Sequence, residues 1–326
     1  MARSAFVTGA TGFVGLNLVQ ALMAQAWEVT ALHRASSDLS FLKRFKPRLA
    51  MGEITDAASL GAALPAGCDT VFHVAGNTNL WRAKNAAQTR DNVEGTRNVV
   101  EACLAKGVRR LVVTSSTSAY GPVTGAITED TPSLAETSWI NYQKTKWQAQ
   151  EIARAATSRG LQVVIMQPGA ILGPYDVGTW SRLFLMVRDG RLPGVPPASR
   201  TFAHVREVVA AHIAAADRGE NGGQYILGGE NASMLTLVRE IARLLGKPLP
   251  TREAPALVVR TVAAVKDLAS RITGREPSIT PEMAAGFGSI MTATAAKAQR
   301  DLGFKVVPLA EMVRDCHAWM VAERRI

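Results

Sequence analysis

Tyr142 and Lys146 stand four residues apart in Asn141-Tyr142-Gln143-Lys144-Thr145-Lys146. On a helix that spacing puts both side chains on one face, with a rise of about 6 Å between them. A protonated lysine near a phenol stabilises phenolate and lowers a pKa that is otherwise about 10. The tyrosine then serves as a proton donor or acceptor near neutral pH. Ser116, in the run Ser115-Ser116-Thr117-Ser118, offers a hydroxyl to hold a substrate oxygen beside it. Tyr-x-x-x-Lys by itself is common on helix surfaces. Its chemistry depends on what the preceding elements place next to it.

The first of those elements is the start of the chain. Residues 5–7 are a short apolar run that reads as a strand, and it enters the glycine-rich turn Gly9-Ala10-Thr11-Gly12-Phe13-Val14-Gly15. An amphipathic helix follows, with Val14, Leu18 and Leu22 on one face. Glycines at 9, 12 and 15 are the residue types a pyrophosphate site needs: for a tight turn, for close backbone approach, and for helix–strand packing. The helix dipole presents its positive end to the phosphates. The spacing is one residue wider than G-x-G-x-x-G, and a glycine turn of this kind also serves purely structural ends.

Residues 27–33 read as a second strand, and Arg34 follows it. In a doubly wound sheet this strand end lies beside the adenosine ribose, where a carboxylate selects NAD and an arginine accommodates the 2′-phosphate of NADP. No carboxylate occurs until Asp38, which favours NADP over NAD. A surface arginine in a loop is the plainer alternative. Further strands are expected at 48–51, 69–76, 108–114 and 161–166, alternating with helices such as 92–106 and one starting near Trp139. That alternation argues for a parallel sheet with helices on both faces. The run 69–76 is apolar enough to be buried on both sides, and its Ala75 and Gly76 let backbone approach a cofactor. Ligands in such sheets bind beyond the carboxyl ends of the strands, where the glycine loop, Arg34, Ala75 and Ser116 would meet.

The expected fold class is α/β: a doubly wound parallel sheet (Rossmann) with a smaller, mostly helical C-terminal substrate lobe. Residues 1–168 would form the NADP-binding domain, with helix 204–217 returning to it, and 169–326 the substrate lobe. Residues 121–138 read as loop. Glycine and proline, including Pro193-Gly194, punctuate 170–200, which reads as loop and short helix. Trp180, Phe184, Leu185 and Met186 would line a substrate cavity or form the core of a small lobe. A short strand is expected at 225–229 and helices over 235–245 and most of 255–326.

Composition narrows the classes. The chain has 326 residues, 47% hydrophobic and 20% charged, as in a globular protein with a sizeable core. It has no apolar run of transmembrane length and no room for a signal peptide before the first strand. Three scattered cysteines build neither a disulfide framework nor a zinc site, so a reducing cytoplasm is expected. The net charge of +10 is spread along the chain apart from Lys43-Arg44-Lys46-Arg48. No nucleic-acid-binding pattern accompanies it, and anionic small molecules are the expected partners. Neither a nucleic acid nor a membrane is expected as a partner. His73 reads as packed or cofactor-adjacent, and His204 and His212 lack ligand spacing, so no metal site is expected.

Together, Thr8-Gly9-Ala10-Thr11-Gly12-Phe13-Val14-Gly15, Ser116, Tyr142 and Lys146 resemble the extended short-chain dehydrogenases/reductases, the NAD(P)-dependent epimerase/dehydratase group, across essentially the whole chain. Asn92-Val93-Glu94-Gly95-Thr96-Arg97-Asn98 and Gln224-Tyr225-Ile226-Leu227-Gly228-Gly229-Glu230-Asn231 point to its dihydroflavonol 4-reductase-like branch. The resemblance implies Ser116 as the substrate-oxygen binder, with Thr117 the alternative hydroxyl, and Tyr142 as acid/base. It implies Lys146 on the nicotinamide ribose and Arg34 on the 2′-phosphate. Cofactor contacts are implied for Gly9, Thr11, Gly12, Phe13, Val14, Gly15 and Ala75, with Tyr142 and Lys146, and for Pro168 flanking the nicotinamide. Family members carry Gly-Asp after the third strand; here Gly52-Glu53 stands, leaving Glu53 and Ile54 for the adenine.

The implied activity is NADPH-dependent reduction of a ketone or aldehyde to an alcohol. A nucleotide-sugar epimerase or dehydratase with tightly bound NAD(P) is the alternative, and a non-catalytic dinucleotide-sensing or RNA-associated protein a third reading. The resemblance also implies a homodimer, paired through helices 92–106 and 139–157.

Overall fold

A computed structural model describes residues 3–192, 194–286 and 290–326. Pro193, half of one expected Pro-Gly break, lies outside the described residues. The first half alternates as the sequence predicts: β1 (Ser4–Thr8), α1 (Phe13–Ala24), β2 (Glu28–His33), β3 (Arg48–Met51), α2 (Ala57–Ala63), β4 (Thr70–His73), α3 (Asn85–Thr89), α4 (Gly95–Ala105) and β5 (Arg110–Thr114). Then come β6 (Gly125–Ile127), α5 (Asn141–Ala155), β7 (Gln162–Pro168), β8 (Ala170–Leu172), α6 (Trp180–Arg188) and β9 (Ser199–His204). The chain continues with α7 (Val205–Arg218), β10 (Gln224–Leu227), β11 (Glu230–Ser233), α8 (Met234–Leu244) and α9 (Ala256–Thr273). It closes with α10 (Pro281–Ala285), β12 (Met291–Ala293), α11 (Ala296–Leu302) and α12 (Leu309–Ala322).

The central sheet runs β10-β7-β5-β4-β1-β2-β3, all parallel. Strand order reverses between β1 and β4, the crevice where such sheets bind ligands. Registers Thr8↔His73 and His73↔Val113 bring the carboxyl ends of β1, β4 and β5 level. Side chains on both faces of the strands are buried, except on the edge strand β3, which is mostly exposed. Leu16, Leu18, Leu22 and Val208 of α1 and α7 pack on Val7, Ala31 and Val112. On the other face Leu60, Val99, Cys103 and Ala153 of α2, α4 and α5 pack on Phe6, Val71, Leu111 and Val163. Full burial of a leucine or valine contributes about 1.5–3 kcal/mol, which makes these two layers the scaffold of the cleft between them. Cys68, Cys103 and Cys316 are all buried free thiols.

A third apolar cluster holds the C-terminal half, with Phe184, Phe202, Leu237, Ile241, Met312 and Cys316 among its members. Phe184 is fully buried there, and Trp180 meets Phe202 edge-on at 5.6 Å between centroids. These residues of α6 belong to a lobe core. His204 caps α7 by accepting from the Arg206 amide at 3.0 Å and bonds Asp315 at 3.0 Å. His212 bonds Thr114 Oγ1 at 2.9 Å, so neither histidine faces a metal cluster.

Several elements depart from the sequence reading. The region 170–200 contains β8 and the start of β9, which join β11 in a sheet of order β11-β9-β8. These strands are three to six residues long, and β11 (Glu-Asn-Ala-Ser) has no apolar alternation, so pattern had nothing to register. Likewise β6, inside an expected loop, pairs in parallel with β12. The helix expected over 92–106 begins at Asn85 and passes through a π-helical turn, Arg90–Glu94, before α4. The strand expected over 69–76 leaves the ladder after His73, and 74–79 instead line the cleft.

Candidate active site

The glycine loop is shaped by two close approaches. Gly9 has φ +68°, and a Cβ there would sit 2.6 Å from the Ala75 nitrogen, so only glycine lets β1 turn against the end of β4. A Cβ on Gly15 would collide with the Gly9 carbonyl, so α1 starts directly on the loop. Gly12 is the N-cap of α1 and supplies no side-chain acceptor, nor does an acidic residue stand in the first turn. The orphan amides and positive dipole end are thereby left for an anion.

A cavity of about 580 Å³ opens in front of that helix end. Gly9, Thr11, Gly12, Arg34, Glu53, Ile54 and Ala75 all line it, joined by His33, Ser37, Gly76, Asn77 and Thr78. Arg34 is exposed at its rim, and its amide donates to Ser37 Oγ at 3.1 Å. The cavity therefore runs from the ends of β2 and β3 past the loop to the segment after β4. Its length, glycine floor and open helix end fit a dinucleotide. Phe13, Val14, Gly15 and Pro168 stand outside its wall: the first three open α1, and Pro168 pairs with Leu227 in the sheet.

Ser116, Tyr142 and Lys146 come together beside the Gly76 end of this cleft. β5 delivers Ser116, which caps a 3-10 turn by accepting from the Ser118 amide at 3.1 Å. α5 carries the other two. The Ser116 hydroxyl, close to the Tyr142 phenol, pulls its pKa down, while burial, the larger effect, pushes it above the ordinary phenol value. This reverses the direction read from sequence, where Lys146 lowers it. The physical reason is that the Lys146 ammonium, itself buried, donates to the Thr114 carbonyl at 2.9 Å instead of the phenol. Burial also brings the lysine down to about 8. A Cβ on Gly76 would lie 3.2 Å from Nζ, so the absent side chain is what opens the amine toward the cleft.

The structure adds a residue that sequence reasoning left unnamed. Asn92, buried in the π-turn, accepts from the Asn77 amide at 2.7 Å and donates to the Asn77 carbonyl at 3.0 Å and Thr145 Oγ1 at 3.1 Å. It ties the cavity-lining segment to the helix bearing Tyr142. The motif Asn92-Val93-Glu94-Gly95-Thr96 was visible, but the π-turn that aims the amide inward was not. His73 is fully partnered, by Thr8 Oγ1 at 2.8 Å and Thr96 Oγ1 at 3.0 Å, and burial takes it down to about 3, with Lys146 adding to the effect. It packs the sheet end and stays neutral. Among the described residues no cluster of metal-ligating side chains occurs.

A parallel sheet with this crossover, a glycine loop and a serine and tyrosine set together beside a buried lysine are the features of a nicotinamide-dependent enzyme. The chain belongs to the NAD dependent epimerase/dehydratase family, whose pattern matches residues 5–228, and it is an NAD(P)-dependent enzyme of the short-chain dehydrogenase/reductase type. It is similar to a protein of Synechocystis sp. provisionally named dihydroflavonol 4-reductase, at 32% identity over 98% of this chain and 95% of the relative. It is also similar to sterol demethylase protein B of Methylococcus capsulatus, at 30% identity over 96% and 97%. Among solved structures, PA4631, a nucleoside-diphosphate-sugar epimerase from Pseudomonas aeruginosa, superposes with a TM-score of 0.81 at 26% identity, covering 100% of both chains.

Proposed function

We propose that this enzyme uses NADPH to reduce a ketone on an apolar, polycyclic skeleton to the alcohol. The observation that carries the reading is the Tyr142 phenol set against Ser116 near the buried Lys146, its pKa held above the ordinary phenol value by burial. A protonated phenol is the form that donates. NADPH, when bound, supplies the hydride to the carbonyl carbon. Ser116 holds the carbonyl oxygen, and Tyr142 gives that oxygen the proton that completes the alcohol. Lys146, charged below about pH 8, holds the ribose side and replenishes positive potential near the phenol as it gives up its proton. The open end of α1 takes the pyrophosphate, Arg34 with Ser37 the 2′-phosphate, and Glu53 with Ile54 the adenine. The skeleton class is supported by the names of two relatives, a dihydroflavonol reductase and a sterol demethylase protein.

The test follows NADPH absorbance with aldehydes, small ketones and polycyclic ketones of flavonoid and sterol type. The expected result is one alcohol formed per NADPH consumed with a polycyclic ketone. Absence of turnover across the panel sinks the proposal. The likeness to a solved nucleotide-sugar epimerase supports a second reading, interconversion of a sugar nucleotide with retained NAD. Protein that purifies with NAD and changes a sugar nucleotide without net NADPH consumption would establish it instead.

A further inference from the structure

α9 is eighteen residues long, Ala-Leu-Val-Val-Arg-Thr-Val-Ala-Ala-Val-Lys-Asp-Leu-Ala-Ser-Arg-Ile-Thr, and it is amphipathic in the reverse of the usual sense. Its buried residues are Ala263, Asp267 and Ser270, spaced four and three apart on one face. The large apolar side chains point the other way: Leu257, Val258, Val262, Val265, Leu268 and Ile272 are all exposed, from 42% at Val262 to 85% at Ile272. At 100° per residue they occupy an arc opposite the buried face. An outward apolar stripe of this size on a globular protein marks a contact surface.

The charges around the stripe say what it contacts. Arg260 and Arg271 border it on one side and Lys266 on the other, with Arg252 and Arg275 exposed just beyond the two ends. The helix's one carboxylate, Asp267, is turned inward, where it accepts from Arg271 at 3.0 Å and faces Arg82. A second copy of α9 laid on the stripe would therefore set cations against cations, the opposite of the complementary flanks that pair helices. Apolar side chains between basic margins match the boundary between acyl chains and anionic headgroups. No helix among the described residues is long and apolar enough to cross a membrane, and none is needed for a helix that lies in the interface.

We infer that α9 is a membrane-docking helix, lying in the surface of an anionic phospholipid bilayer with Leu257, Val265, Leu268 and Ile272 among the acyl chains. This revises the sequence expectation of no membrane partner. The placement has a functional consequence. Arg82 contacts Asp267 and Glu282, Lys84 pairs with Glu276 at 2.6 Å, and Thr280 Oγ1 donates to the Leu80 carbonyl at 2.7 Å. These bonds fasten α9 and α10 to the segment that runs on from Asn77–Asn79 at the cleft wall. Docking would hold the cleft close to the bilayer, where an apolar substrate is concentrated.

Vesicle co-sedimentation of the full chain tests this. Binding is expected to vesicles of phosphatidylglycerol with phosphatidylcholine, to weaken as salt rises, and to be absent with phosphatidylcholine alone. The double variant Val265→Asp, Leu268→Asp alters only exposed positions, so it should keep its circular dichroism and its thermal shift with NADPH. Its vesicle affinity should fall at least about tenfold. Failure of the native chain to sediment with anionic vesicles overturns the inference, as does equal binding by the folded double variant. A dimer seen by light scattering that the double variant abolishes would give the stripe to a second copy and overturn it too. Vesicle binding by protein that turns over no ketone would leave the docking intact and sink only the reductase reading.

Discussion

At the scale of single residues, the proposed mechanism assigns proton donation to Tyr142 and cofactor binding to other groups. Tyr142→Phe removes the acid and leaves the cavity lining alone, so ketone reduction should fall about 10²–10⁴-fold while NADPH affinity stays within about twofold. Steady-state kinetics with a fluorescence titration checks both. In the proposed mechanism Lys146 sets the alkaline limit. Its pKa is down at about 8 in the protein without cofactor, so its positive charge is present below that pH and lost above it. The value of kcat/KM for reduction should accordingly be flat near neutrality and decline above about pH 8. A profile that stayed flat to pH 10 would remove Lys146 from this role. The grouping of Ser116, Tyr142 and Lys146 at one place was legible from the Tyr-x-x-x-Lys spacing together with the family resemblance. Asn92 was not, because an asparagine in a helix is chemically silent until the π-turn points it at Asn77 and Thr145. The direction of the Tyr142 shift was also out of reach, since it depends on burial and on the carbonyl that captures the lysine.

At the scale of elements, the cleft depends on how closely α1 starts against β1. Gly15→Ala places a methyl into the Gly9 carbonyl, and relief requires the helix to move off the loop that aims its amides. We expect NADPH affinity to fall more than about tenfold, with a stability loss of about 1–3 kcal/mol. Calorimetric titration and urea unfolding measure the two separately. A variant with native affinity would mean that the helix end does not hold the pyrophosphate. The parallel strands and their helices were readable because two-sided burial makes long apolar runs and helical faces repeat every three to four residues. The sheet of β8, β9 and β11 was not, because its short strands gain their partners from far along the chain. Ala170 pairs with Phe202, and Phe202 with Glu230. The outward stripe of α9 was present in the sequence as an amphipathic helix, but periodicity cannot say which face meets the core.

At the scale of the whole molecule, copies paired through α4 and α5 would meet through mostly small and polar side chains, with Trp147 and Ile152 half-buried and Trp139, just before α5, exposed. Two buried histidines give the fold's stability a pH dependence. His73 and His212 are buried on partners that suit a neutral ring, and burial takes them down to about 3 and about 4. An unfolded histidine titrates near 6.5. Between that value and the folded one the unfolded chain binds more protons, so stability rises with pH across this window and is lost as pH falls through it. Each ring accounts for on the order of 3 kcal/mol by pH 4, and with both titrating the slope approaches 2.7 kcal/mol per pH unit, or about two protons. Carboxylates held low by their bonds, such as Asp69 on the Ser4 amide and Glu101 on Arg159, add their own loss from about pH 5 downward. Urea unfolding from pH 7 to 5 should therefore show a steep loss of stability before most carboxylates contribute. His212→Gln, which can still meet Thr114, should be less stable at pH 7 yet lose about one proton from the slope. A nicotinamide dinucleotide that binds only the folded chain should raise the whole curve by about 2.7 kcal/mol at a hundred times its dissociation constant without changing its pH slope through these histidines. A slope unaltered by His212→Gln would place the acid sensitivity elsewhere in the molecule.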